Sequence, residues 1–365
     1  MAPGTVHPPR MQEALSSLRL NPNELGAEHI LPFIPRAREI DQDKDPRLGS
    51  CAKILAECTS VHAAATHIMS EEPWDFLGVY YDAIDHFCHG FMKFHPPRRA
   101  HIPERDYELY NGVVTAGYLY HDMMLGNMLA LAGEDTTVIL VSDHGFHPDH
   151  LRPQSIPHEP AGPAVEHRDF GVFVMKGPGI KKDERVYGAS LLDVTPTILA
   201  HCDLAVGEDM DGRALIDAFE CPQPVRTIET WDEVEGEDGR HRADKQIDPL
   251  EAKESLEQLI ALGYIERPSG NREVAIARTV REMNYNLARS YMDGGLHGEA
   301  APILAEMYAK EPSEHRFGLH LAMCYRALGR PPELTGIVAK MKQRRVEDAE
   351  RAREELQRVS KVTQS

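Results

Sequence analysis

The sequence predicts an α/β domain with a mostly parallel sheet and helices on both faces, followed by an α-helical repeat domain. Three observations carry this prediction. Short apolar runs end abruptly in polar loops at "WDFLGVYY" (74–81), "TTVILVS" (136–142) and "FGVFVMKGPG" (170–179). Longer stretches with helical spacing alternate with these runs, and such alternation places a parallel sheet between helical layers. Beyond residue 250 the strand signals vanish and only helical spacing remains.

Each element follows from its residues. Residues 1–50 are rich in Pro, Arg and Asp and predict an irregular N-terminal segment. Over 51–70, Ile54, Leu55, Cys58, Val61, Ala65 and Ile68 recur at helical spacing. The aromatic run at 74–81 predicts a buried strand. Residues 104–132 predict one long helix that stops at Gly133. The runs at 136–142 and 170–179 predict two further strands, the second closed by a Gly-Pro-Gly turn. A helix is expected over 190–202, with Ser190 near its start. An α/β catalytic domain is thus expected over 51–220, an acidic, aperiodic linker over 221–250 and a helical region over 251–365.

That helical region contains a repeat. "LARSYMDGG" begins at Leu287 and "LAMCYRALG" at Leu321, so Leu287/Leu321, Ala288/Ala322, Tyr291/Tyr325 and Gly295/Gly329 share one offset. A period of about 34 residues with this pattern, followed by Glu299-Ala300 and Pro312, resembles tetratricopeptide repeats, which hold peptides in a concave groove. The plainer alternative is two amphipathic helices that share a pattern by chance. The charged tail "QRRVEDAERAREELQRVSK" predicts a solvent-facing helix.

Composition narrows the function. The net charge of −18 argues against nucleic-acid backbone as a partner, since phosphate contacts need clustered Lys and Arg. It does not exclude a phosphate-bearing substrate, because bound cations reverse the local field. No run of 18 apolar residues predicts a membrane span, and the first residues lack the pattern of a secretory signal. Six scattered cysteines without a CxxC pair predict reduced thiols and a cytoplasmic protein.

Three clusters near predicted strand ends can carry chemistry. In "YYDAIDHFCHGFM" (80–92), Asp85 and His89 lie four apart, as do Asp82 and His86. Asp143-His144 follows the strand at 136–142, and His167 precedes the strand at 170–179. Carboxylate and imidazole at neighbouring strand ends form a ligand set suited to zinc or manganese. Singly, a strand-end Asp reads as a helix cap and a lone His as a hydrogen-bonded core residue.

The motifs "VILVSDHGF", "HRDFGVFVMKGPGIKK", "SLLDVTPTILA" and "VGEDMDGRAL", with "ALGYI" at 261–265, resemble the second half of the alkaline phosphatase superfamily. The nearest branch is the type I phosphodiesterase / nucleotide pyrophosphatase enzymes, over roughly residues 70–265. The resemblance implies an alkaline phosphatase-like fold and two divalent metal ions, zinc or else manganese, that bridge a substrate phosphate. It implies Asp85, His89 and His167 as ligands of the first ion and Asp143 and His144 as ligands of the second, a pair that some members share between the ions. Asp85/His89 is preferred to Asp82/His86 because an aromatic follows it and Asp82 belongs to the predicted strand; His86 and Cys88 are then packing residues or outer partners.

The family's nucleophile, a Thr or Ser after a first strand ending in Asp, is not found. Thr59-Ser60 lies inside a predicted helix and Thr5 is too near the start. One expectation is therefore a metal-dependent hydrolase of small phosphoric esters that lacks its nucleophile segment. Another is a non-catalytic module that binds a protein or peptide through the repeats, and a third is a hydrolase that uses metal-activated water.

Overall fold

The computed structural model describes residues 6–156, 162–236 and 272–362. The chain divides into two compact units. Among described residues the first comprises 6–187 and 216–223, and the second 188–215, 224–236 and 272–362.

The first unit is mainly helical. Helix α1 (Arg47–Glu71) covers the expected helix and extends it. Helix α2 (Ala83–Phe91) follows, then α3 (Glu104–Tyr110) and α4 (Val113–Ala132). The single helix expected over 104–132 is thus two, separated at Asn111-Gly112. Gly133, with φ +77, ends α4 in a conformation that costs a glycine nothing.

The core of this unit gathers Cys51, Ile54 and Leu55 of α1, Phe87, Cys88 and Phe91 of α2, Tyr110 of α3 and Val113 and Val114 of α4. Each buried aromatic stabilises this cluster by about 2–3 kcal/mol. Ile30, Phe33 and Ile34 join it, and Phe33 stacks on Phe87 with ring centroids 5.4 Å apart. The N-terminal segment expected to be irregular therefore supplies core residues through short helical turns, including Ala27–Ile30. Gly117 lets α4 approach α2, since a Cβ there would lie 2.9 Å from Phe87 Cδ2.

The sheets differ from expectation. Strand β1 (Val138–Val141) pairs antiparallel with β4 (Phe173–Lys176), and inside that pair β2 (Gly145–Phe146) pairs antiparallel with β3 (His167–Arg168). In the second unit β5 (Val206–Gly207) pairs in parallel with β6 (Thr227–Ile228). A large parallel sheet is not present among the described residues. The reason lies in the connection. Parallel neighbours need a crossover, usually an α-helix, whereas the described residues between β1 and β4 hold only the small β2–β3 pair and a 3-10 turn at Gly162–Glu166. The run at 74–81 is not a strand either. It finds no ladder partner among the described residues, and Phe76 and Tyr80 lie exposed.

In the second unit, 3-10 turn Leu191–Asp193 leads into α5 (Val194–His201) where one helix was expected over 190–202. Buried Asp193 accepts hydrogen bonds from the backbone N–H groups of Ser190 and Arg213, which fastens the loop before Leu215. Helices α6 (Arg272–Asp293), α7 (His297–Lys310), α8 (His315–Ala327) and α9 (Pro331–Val362) follow. Consecutive helices pack together around Tyr285, Ala288, Leu304, Phe317 and Leu321. Gly295 and Gly329, one repeat apart, both take positive φ (+77 and +64) where α6 and α8 end.

Candidate metal centre

Four side chains from three segments of the first unit meet beside Phe146. Asp85 and His89 sit one turn apart on α2, which orients both toward one side of the helix. His144 stands at the turn between β1 and β2, and His167 begins β3, opposite Phe146 in the β2–β3 ladder. Gly171 permits this nesting of one strand pair within the other, because a Cβ there would fall 1.9 Å from the Ser142 carbonyl oxygen.

Asp85 Oδ1 is the hub. It lies 3.3 Å from His89 Nε2, 3.6 Å from His167 Nε2 and 3.7 Å from His144 Nε2. Asp85, His144 and His167 each offer a ligand atom, and these atoms all fall within 4.8 Å of one another. The imidazole rings of His144 and His167 stack at 3.6 Å with an 11° interplanar angle. His144 Nδ1 donates to the Gly145 carbonyl oxygen at 3.2 Å, which leaves Nε2 as the nitrogen that faces Asp85.

His89 is held from both sides. Its Nδ1 donates to Glu166 Oε2 at 2.8 Å, and its Nε2 lies 2.9 Å from His167 Nε2. Both His89 and Glu166 are buried. Phe146 meets the rings of His89 and His167 edge-on, each at 4.9 Å, and forms an apolar wall of the cluster.

These contacts tune the charges. Burial alone would raise the Asp85 carboxyl, yet its hydrogen bond to His89 and the neighbouring imidazoles hold it below the usual carboxylate range. Burial opposes charge on His89, but hydrogen bonds to Asp85 and Glu166 outweigh it and raise the ring to about 9. His167 is lowered to about 4 by burial and by His144 and His89. Burial, with Asp85 adding to it, pushes the Cys88 thiol up to about 12, which leaves an inert packing residue.

Of the five residues expected at the site, the structure brings Asp85, His144 and His167 together as one three-ligand group. His89 adjoins that group with Nε2 facing it. Asp143 stays at the edge: its side chain is largely exposed, its Oδ1 accepts from the His144 backbone N–H, and its Oδ2 is 3.7 Å from His144 Nε2. The donors first assigned to separate ions thus mix in one cluster. Glu166 and Phe146 were not anticipated. Nothing local marks Glu166, whose partner lies 77 residues earlier.

Carboxylate oxygen with imidazole nitrogens is the donor chemistry of zinc and manganese sites, and the residues present fit a divalent ion. A family model for type I phosphodiesterase / nucleotide pyrophosphatase matches residues 35–159. The match supports the family that the motifs suggested, but it begins earlier in the chain than they do and, of the quoted motifs, covers only "VILVSDHGF". It includes Asp85, His89, Asp143 and His144 and ends before His167. No curated protein and no solved structure matches the chain. No helix among the described residues is long and apolar enough to cross a membrane.

Proposed function

We propose that the first unit is the metal-binding part of a phosphoric ester hydrolase of the phosphodiesterase / nucleotide pyrophosphatase type, acting on a small-molecule ester. The convergence of Asp85, His144 and His167 within 4.8 Å carries this reading, and the family match supports it. A divalent ion held there, zinc or manganese, would draw charge from a phosphoryl oxygen and favour its displacement. The chain's own residues prepare that site. Asp85 is held ionised and His167 is held neutral above about pH 4, so both offer lone pairs at neutral pH. Phe146 limits access of water on one side.

The attacking group is neither Thr59 nor Ser60 in this reading. Both hydroxyls donate one turn back along α1, to the carbonyls of Leu55 and Ala56. Asp143 keeps an exposed carboxylate beside the cluster and is the available ligand for a second ion. All six cysteines are free and four are buried, which fits the cytoplasmic placement we assign to the protein.

The test is bound zinc and manganese per chain in chelator-free protein, for wild type and His167→Ala, together with hydrolysis of a nitrophenyl phosphodiester. About one ion per chain, lost in the variant, supports a single centre with feeble turnover. About two ions would bring Asp143 in as a ligand and predict stronger turnover. No ion in either protein would refute the reading.

A second reading, binding of a protein helix through the repeats, is favoured by one observation. On α6, Val280, Met283 and Leu287 form an exposed apolar stripe, whereas Phe317 and Leu321, equivalent to Met283 and Leu287 one repeat later, are buried. Charged substitutions at Met283 and Leu287 would abolish such binding and leave the ion count unchanged.

A further inference from the structure

We propose that Glu166 is a positioning residue for the metal centre: it holds the Nδ1–H of His89 so that His89 Nε2 acts as a fourth ligand beside Asp85, His144 and His167. The inference rests on the metal-binding reading above and goes beyond it, because it names the residue that orients His89, a ligand the family resemblance already implies.

Geometry carries the argument. Imidazole can ligate through either nitrogen, and the hydrogen bond at one nitrogen decides which lone pair is offered. Glu166 Oε2 takes Nδ1 at 2.8 Å, so in the neutral ring the lone pair lies on Nε2. That nitrogen already faces the cluster, 3.3 Å from Asp85 Oδ1 and 2.9 Å from His167 Nε2. The carboxylate is itself well placed. Glu166 is buried, sits immediately before His167, and its backbone carbonyl accepts from His147 N–H at 3.0 Å, which continues the β2–β3 ladder. One short segment therefore fixes the ligand His167 and the residue that aims His89.

A buried carboxylate is costly unless it is hydrogen-bonded or paired. A purely structural acid at this position needs only some donor. Glu166 instead meets an imidazole whose other nitrogen faces the ligand cluster. The arrangement matches the carboxylate–histidine–metal relay in which the outer carboxylate steers the ring and strengthens it as a donor.

The experiment measures zinc affinity of the full chain by competition with a chromophoric chelator, for wild type, Glu166→Gln, Glu166→Ala and His89→Ala. Thermal unfolding of each metal-free protein is recorded beside it. Glutamine keeps a hydrogen-bond acceptor and the side-chain shape, so it guards against simple misfolding. We expect Glu166→Ala to bind zinc about 10–100-fold more weakly than wild type, with Glu166→Gln in between. We also expect Glu166→Ala to add little to the loss caused by His89→Ala in the double variant. Nitrogen NMR of the histidines should show Nδ1 protonated in wild-type His89 with zinc bound. Unchanged zinc affinity in Glu166→Gln and Glu166→Ala would overturn the positioning role while leaving the three-ligand reading intact. Additive losses in the double variant would equally overturn it, since Glu166 would then act elsewhere than through His89. Failure of the wild type itself to bind either zinc or manganese would refute the metal reading, and this inference with it.

Discussion

Helix α2 and the residue that precedes it carry the Asp-x-x-x-His spacing twice, and the two copies have different surroundings. Asp85 and His89 approach to 3.3 Å and are joined by His144, His167 and Glu166 from segments more than fifty residues away. Asp82 and His86 stand 4.0 Å apart, and among the described residues no group of three candidate ligand atoms includes them. The helix gives both pairs the same local geometry. The difference is rotational: a shift of three positions turns the second pair toward the β2–β3 ladder, where other donors arrive. Spacing on a helix offers a pair of ligands, and long-range packing decides whether the pair becomes a site.

The largest expected effect breaks the cluster at its hub. Asp85→Asn turns the carboxylate whose Oδ1 lies within 3.7 Å of three imidazole nitrogens into a neutral amide, and ion affinity should fall by more than about 100-fold. Equilibrium dialysis with zinc measures this. Retained binding in Asp85→Asn would mean that the ion sits elsewhere.

Next comes the pH dependence of the metal-free protein. His89 is raised to about 9, so its protonated form stabilises the fold fully below about pH 6.5, and that contribution is lost as pH rises through about 9. His167 is lowered to about 4, so its penalty is absent above about pH 6.5 and grows as pH falls toward 4. Together they predict a stability maximum near pH 6.5, with each limb on the order of 1–3 kcal/mol. Urea unfolding in the presence of chelator, from pH 4 to pH 10, tests it. Stability that climbs steadily from pH 7 to pH 9 would contradict the charged, doubly hydrogen-bonded state of His89.

How much of this was legible in the sequence depends on the range of each contact. Asp85, His144 and His167 stood out because acids and histidines followed or preceded apolar runs. Yet the run before Asp85 is a partly exposed segment without a ladder among the described residues, so the three residues that converge were singled out through a strand that is not there. The direction of β1 and β4 was not legible, because it depends on what connects them rather than on their own residues. "FGVFVMK" reads alike in parallel and antiparallel company. Glu166 was invisible for a related reason: an acid beside a histidine in a polar loop resembles a solvated residue until α2 packs against it. The C-terminal helices were easier, since their ends and the glycines that follow them are marked locally, at Gly295 and again at Gly329.

A smaller effect sharpens the comparison from outside the cluster. Gly117 brings α4 against Phe87, which lies between His86 and His89 on α2. Gly117→Ala would place a Cβ 2.9 Å from that ring and must shift it. We expect a stability loss of about 1–3 kcal/mol, read by urea unfolding, and weaker ion binding if α2 rotates. A stabilised variant, as an ordinary helical glycine would give, would show that the contact is slack.

The smallest expected effect is the most discriminating. Asp82→Asn alters the first pair in the same way that Asp85→Asn alters the second, at the residue immediately before α2. Asp82 caps no backbone group of α2 with its side chain, and its carboxylate is substantially exposed. The substitution should change stability by no more than about 0.5 kcal/mol and ion affinity by no more than about twofold. A large loss of ion binding in Asp82→Asn, alongside an intact Asp85→Asn, would reverse the assignment and make Asp82/His86 the ligands. Loss in both would mean that α2 presents its acids to two ions, with Asp82 acting through the field that it and Asp143 share around Tyr80. Loss confined to Asp85→Asn would establish that the converging segments, not the helical spacing, make the site.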